Sequence, residues 1–289
     1  MTTESAEKVP EKTTEAPAEH RTLGRDFGRR LLTALIGGPL IIWIIYTGAP
    51  FFAIAVLLVA ALAAYEMNNI VRPGHFGIAM LEVMTFATIA AVMLQAPLVL
   101  LTAIIVTVAI GIVESLMMEE SKLRYFWRNW VFLIAGGLYV GLPMALLLVI
   151  RDYPDGRWWV GVLFAANWAT DGFALIGGRL FGRTKLAPQI SPGKTVEGVR
   201  VGVLAGVLIG MAVGVLLLKL APLPVFIASA VVALLTVVGD LLESWLKRTF
   251  QVKDSGAILP GHGGILDRID GLLLATPGLF IVLLFFGIW

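Results

Sequence analysis

Nine stretches of this chain are long and apolar enough to require lipid, not water, as their solvent. They run approximately 31–48, 51–70, 77–95, 98–115, 129–150, 158–178, 199–219, 222–245 and 271–289. A helix needs about 20 apolar residues to cross a bilayer core, where it must satisfy its own backbone hydrogen bonds. The chain is 58% hydrophobic and only 15% charged, against roughly 45–50% and 25% in a soluble domain. The expected fold class is therefore an all-α integral membrane protein with about nine transmembrane helices. Only Gly48-Ala49-Pro50 separates the first two stretches, and only Ala96-Pro97 the third and fourth, so each pair reads as a tight hairpin.

Charge placement orients these spans. Lys and Arg favour the cytoplasmic side of a membrane protein. Six lie before residue 31, Arg72 follows the second span, three lie in 122–128, five in 179–200 and four in 247–268. Only Arg151, Arg157 and Lys219 fall on the opposite side. The N-terminus is thus expected in the cytoplasm, and the two longest polar loops, 179–198 and 247–270, face the same compartment. Residues 1–30, rich in Glu, Lys, Thr, Ala and Pro, cannot bury enough surface to fold and read as a disordered cytoplasmic tail. The first four spans carry few polar groups beyond Glu66, Asn68, Asn69, Glu82 and Glu114, so 31–150 reads as transmembrane scaffold and 151–289 as the catalytic region. There is no cysteine, so disulfides, thiolate nucleophiles and cysteine-bound zinc are excluded.

Polar residues converge in that C-terminal region. Asp240, Glu243, Ser244 and Lys247 fall at helical spacing and form one stripe at the end of the eighth span. Ionisable groups at membrane depth are costly and must face protein, water or an ion. The bland reading is a ladder within one helix that only marks its end. The next loop holds Gly256, Gly261, Gly263 and Gly264 with Lys253, Asp254, His262, Asp267, Arg268 and Asp270. Glycines permit close backbone approach, and clustered amides and cations suit phosphate. Carboxylates beside such groups suit magnesium. His262 is equally readable as a turn-stabilising donor or a proton carrier.

A second patch comprises Asn167 and Asp171, four residues apart in an apolar span, followed by Arg179, Ser191, Lys194, Thr195 and Glu197. Gly193-Lys194-Thr195 is not a P-loop, because the required earlier glycine is Pro188. It reads as a phosphate contact ahead of the seventh helix or as ordinary positive-inside loop.

Residues 244–270 resemble the signature of the CDP-diacylglycerol synthases (phosphatidate cytidylyltransferases). The fixed positions of that pattern are matched by Ser244, Lys247, Arg248, Lys253, Asp254, Gly256, Pro260, His262, Gly263, Gly264, Asp267, Arg268 and Asp270. Asp171, Gly178-Arg179 and Ser191-Pro192 through Lys194-Thr195, Glu197 and Gly198 are similar as well; Gly193 and Leu175 depart from the usual residues. The resemblance implies transfer of the cytidylyl group of CTP to phosphatidic acid in an inner membrane, with magnesium on Asp240 and Asp267, a second cation (potassium) beside it, and a homodimer. It implies no nucleic-acid partner. Lys247, Arg248, Lys253, Arg268 and Lys194 would bind phosphates, while Asp254 and Asp270 would orient these cations or complete the metal shell. Two other readings stay open: a cation- or proton-coupled transporter using Asp171, Asp240 and Glu243, and a CTP-dependent enzyme acting on another membrane lipid such as a polyprenol.

Overall fold

The computed structural model describes residues 37–72, 74–252, 255–256 and 263–288. The expected tail, and Lys253, Asp254 and His262 of the expected site, lie outside these residues. Nine helices succeed one another in the described chain: α1 (Gly37–Thr47), α2 (Phe51–Val71), α3 (Gly77–Met93), α4 (Pro97–Ser115), α5 (Glu120–Asp152), α6 (Gly156–Phe181), α7 (Val196–Met211), α8 (Pro222–Thr249) and α9 (Leu266–Phe285). α7 continues as a π-helical segment, Ala212–Leu217. The chain is an all-α, multi-pass membrane protein. Each expected stretch holds a helix, and seven of the nine are long and apolar enough to cross a bilayer; α1 and α3 are shorter. With 17 residues, α3 rises roughly 25 Å at 1.5 Å per residue.

Local chemistry sets the helix boundaries. Pro97 and Pro222 open α4 and α8, where a missing amide hydrogen costs nothing. The last carbonyls of α1 are satisfied from afar: Arg151 of α5 donates through Nε to Ile45 O at 2.8 Å and through Nη2 to Tyr46 O at 3.3 Å. A cation at a helix C-terminus also matches its dipole. Thr195 caps α7, its hydroxyl accepting from the Gly198 amide at 3.2 Å.

The expected cytoplasmic loop 179–198 is more ordered than its composition predicts. Its first residues, through Phe181, complete α6, and β1 (Lys185–Ala187) pairs antiparallel with β2 (Ser191–Thr195). This two-stranded sheet is the one sheet among the described residues. Glu197 holds it, its Oε2 accepting from the amides of Arg183 at 3.0 Å and Thr184 at 3.1 Å.

Glycines decide how closely the helices pack. Gly198, Gly202, Gly206, Gly210 and Gly214 are buried at intervals of four along α7 and its continuation. A Cβ at Gly198 would meet Ala174 O at 2.7 Å, and one at Gly206 would meet Ala166 O at 3.0 Å and overlap the Thr170 hydroxyl. The backbones of α6 and α7 therefore touch, as small-residue seams allow in membranes. Gly141 of α5 plays the same part against α3, where a Cβ would meet Thr85 O at 2.6 Å. Because the chain runs up and down, the C-terminal ends of α6 and α8 and the N-terminal ends of α7 and α9 gather at one end of the bundle.

Candidate functional site

At that end lies a cavity of about 510 Å³. α6 supplies Asp171 and Arg179, β2 supplies Ser191, Lys194 and Thr195, α8 supplies Asp240, and α9 supplies Asp267, Arg268 and Asp270. Ala174, Leu175, Val199 and Val237 add apolar wall. Nine residues singled out in the sequence, drawn from four elements up to 99 positions apart (Asp171 to Asp270), thus line one space. The two carboxylates expected to share an ion, Asp240 and Asp267, both face it.

Their present partners are ammonium groups. Lys194 Nζ forms an ion pair with Asp240 Oδ2, and Ser244 Oγ lies 3.5 Å from Asp240 Oδ1. Lys247 Nζ lies 2.7 Å from Asp267 Oδ1 and 3.2 Å from Glu243 Oε2. The other Asp267 oxygen accepts from the Gly264 amide at 2.9 Å. The bland reading, a ladder confined to α8, therefore fails: the stripe is tied outward to β2 through Lys194 and to α9 through Lys247. Charges this shielded from water need such partners, since an isolated one would be strongly destabilising.

The remaining expected residues hold the site's frame. Glu197 secures the hairpin and does not line the cavity. Arg248 donates to Ile190 O at 3.4 Å, joining the end of α8 to the hairpin turn. Gly263 adopts a φ of +77°, and a Cβ there would also meet Asp267 Oδ2 at 2.9 Å, so glycine is required on both counts. Beneath the cavity, Asn167 is buried and its Oδ1 lies 2.8 Å from the Thr236 hydroxyl, bridging α6 to α8.

Two carboxylates matter more than their sequence context suggests. Glu243, 1% exposed, stands behind Lys247 with one oxygen, Oε1, lacking a hydrogen-bond partner. Its place in the polar stripe was the available signal. Glu66 of α2, read as scaffold, instead contacts the segment entering α9.

A divalent cation suits the donor chemistry, because Asp171, Asp240, Asp267 and Asp270 present hard oxygens to one cavity. Among the described residues, no three His, Asp or Glu side chains converge as a ready-made ligand set. Asp240 and Asp267 would exchange their lysine partners for a metal, and substrate oxygens would complete its shell.

The family model described as the cytidylyltransferase family matches residues 28–286. A phosphatidate cytidylyltransferase of Brucella abortus biovar 1 (strain 9-941) is 30% identical over 253 residues, covering 87% of this chain and 91% of the relative. One from Rickettsia bellii (strain RML369-C) is 35% identical over 192 residues, covering 62% and 78% respectively. One from Rickettsia felis (strain ATCC VR-1525 / URRWXCal2) is 36% identical over 173 residues, covering 54% and 74%.

Proposed function

The chain belongs to the cytidylyltransferase family, and from that premise we propose that it transfers the cytidylyl group of CTP to phosphatidic acid, giving CDP-diacylglycerol and pyrophosphate. The observation that carries this reading is the single cavity in which Arg179, Lys194 and Arg268 stand beside Asp171, Asp240, Asp267 and Asp270 at the ends of membrane helices. In the reaction a phosphate oxygen of the lipid attacks the α-phosphorus of CTP. One phosphorus–oxygen bond forms, the bond to the β-phosphate breaks, and pyrophosphate leaves. The nucleophile is already ionised near neutral pH, so the chief barrier is the approach of two polyanions.

The chain's own residues address that barrier. Arg179, Lys194 and Arg268 bind phosphate oxygens and stabilise charge as it shifts to the leaving group. Lys247 fixes Asp267 between Gly264 and Glu243, so it orients a carboxylate as well as adding positive charge. Ser191 and Thr195 add neutral donors on the hairpin side. Asp240 and Asp267 would hold magnesium, with a second cation beside it, and the bound ions would supply charge neutralisation for the phosphates. Lys253, Asp254 and His262 are assigned roles in the reaction by resemblance to the signature alone.

The proposed orientation follows the Lys and Arg distribution. The N-terminus and the cavity face the cytoplasm, α1 and α3 complete nine crossings, and the protein acts in the inner membrane as a homodimer. The decisive experiment incubates detergent-solubilised protein with radiolabelled CTP, with and without phosphatidic acid and magnesium. Label entering lipid only when both are present supports the reading. Label entering a polyprenol in preference, or gradient-driven uptake without CTP consumption in proteoliposomes, overturns it.

A further inference from the structure

Glu66 sits on α2 and is 0% exposed. Its Oε2 accepts from the Leu266 amide at 2.8 Å and from the Ser255 hydroxyl at 3.3 Å, partners 200 and 189 residues away in sequence. Leu266 is the first residue of α9, so its amide has no acceptor within its own helix. Glu66 supplies that acceptor from another helix, and its negative charge matches the helix's positive end. The chain presses on this carboxylate from both sides: a Cβ at Gly256 would meet Glu66 Oε1 at 2.6 Å, and one at Gly264 would overlap Glu66 and Ser255. Residues 255–256, within the segment that joins α8 to α9, and 264–266, at its junction with α9, therefore meet on one side chain.

Immediately beyond Leu266 the helix forms the acidic wall of the cavity. Asp267 is the next residue, and Asp270 lies one turn further. A cap serving only stability would be met more cheaply by Ser or Asn, which carry no charge to bury. We infer that Glu66 is a positioning residue: by fixing where α9 begins, it sets Asp267 and Asp270 relative to Lys194 and Asp240, without itself lining the cavity. The catalytic consequence rests on the proposed cytidylyl transfer; the structural one does not.

The test uses full-length protein in detergent and two measurements: amide hydrogen exchange by mass spectrometry, and steady-state kinetics with CTP and phosphatidic acid. In Glu66→Ala, exchange across 264–270 should rise at least about tenfold, while peptides of α7 stay at the wild-type rate. Turnover should fall about 100-fold, as expected of a displacement near 1 Å, with the KM for CTP held within about threefold. Glu66→Gln keeps an oxygen acceptor for Leu266 and should recover turnover to within about tenfold of wild type. Ser255→Ala, which spares the Leu266 bond, should show a smaller rise in exchange over the same residues and carries the test should Glu66→Ala fail to fold. Unchanged exchange across 264–270 in these variants overturns the inference, as does a rise shared equally by α7 or a loss seen only in KM. Absence of CTP-dependent transfer in the wild type would sink the functional reading, while the exchange data would still decide the role of Glu66.

Discussion

On α3, in the N-terminal half, Thr85 and Thr88 are buried and each hydroxyl donates to the carbonyl four residues earlier, at 2.9 and 2.7 Å. On α8, in the C-terminal half, the Thr236 hydroxyl lies 2.8 Å from its own helix's Val232 carbonyl and equally close to Asn167 of α6. The contrast widens toward the cavity, where Lys194–Asp240 and Lys247–Asp267 both link different elements. Both halves pack helices through glycines. These threonines differ in whether the hydroxyl is absorbed by its own backbone alone or also meets a neighbouring helix. Self-satisfied groups make a helix that lipid tolerates; cross-linked groups fix one element against another, as a site built from several helices demands.

The sharpest break of this contrast is at the cavity carboxylates. Asp240→Asn and Asp267→Asn should each lower CTP incorporation about a thousandfold or more while the protein still inserts and purifies. Near-normal turnover in either would remove the role assigned to it. Next in size, Lys247→Met strands Glu243 and Asp267, and losing one partner of a shielded pair costs about 3–5 kcal/mol; chemical denaturation in detergent would register it. The side chains are well shielded, at 13% exposed for Lys247 and 1% and 17% for its partners.

A matched pair of glycine variants compares the halves directly. Gly202→Ala and Gly141→Ala each push a Cβ against a facing carbonyl, Thr170 O and Thr85 O respectively. Each should destabilise by about 1–3 kcal/mol, but only Gly202→Ala should also reduce turnover per folded molecule. Equal kinetic losses would erase the distinction between scaffold and site. Lys194→Ala should raise the KM for CTP about tenfold, the worth of one charged hydrogen bond, with a smaller effect on kcat. Smallest of all, Thr88→Ala should shift stability by about 0.8 kcal/mol, the worth of one buried methyl, and leave kinetics unchanged, because the helix keeps its own backbone bonds.

The C-terminal stripe was legible because 3.6-residue periodicity places Asp240, Glu243, Ser244 and Lys247 together whatever surrounds them. Its partners were not, since nothing in sequence spacing brings Lys194 to a carboxylate 46 positions later. The hairpin is hidden in the sequence for a physical reason: Ser191-Pro192-Gly193-Lys194-Thr195 contains two poor strand formers, and Glu197 gathers the amides of Arg183 and Thr184 ahead of β1. The five glycines of α7 and its continuation recur every four residues, and what that interval means depends on α6 lying opposite. Glu66 offered only one cue, the expense of an acid in an apolar helix.

The seam between α6 and α7 constrains traffic. Where backbones meet through Gly198, Gly202 and Gly206, no acyl chain can part them. A lipid bound for the cavity must take another portal, and Val237 of α8 is the apolar lining that stands away from that seam. The zipper that closes one flank thereby dictates from which direction a greasy tail can arrive.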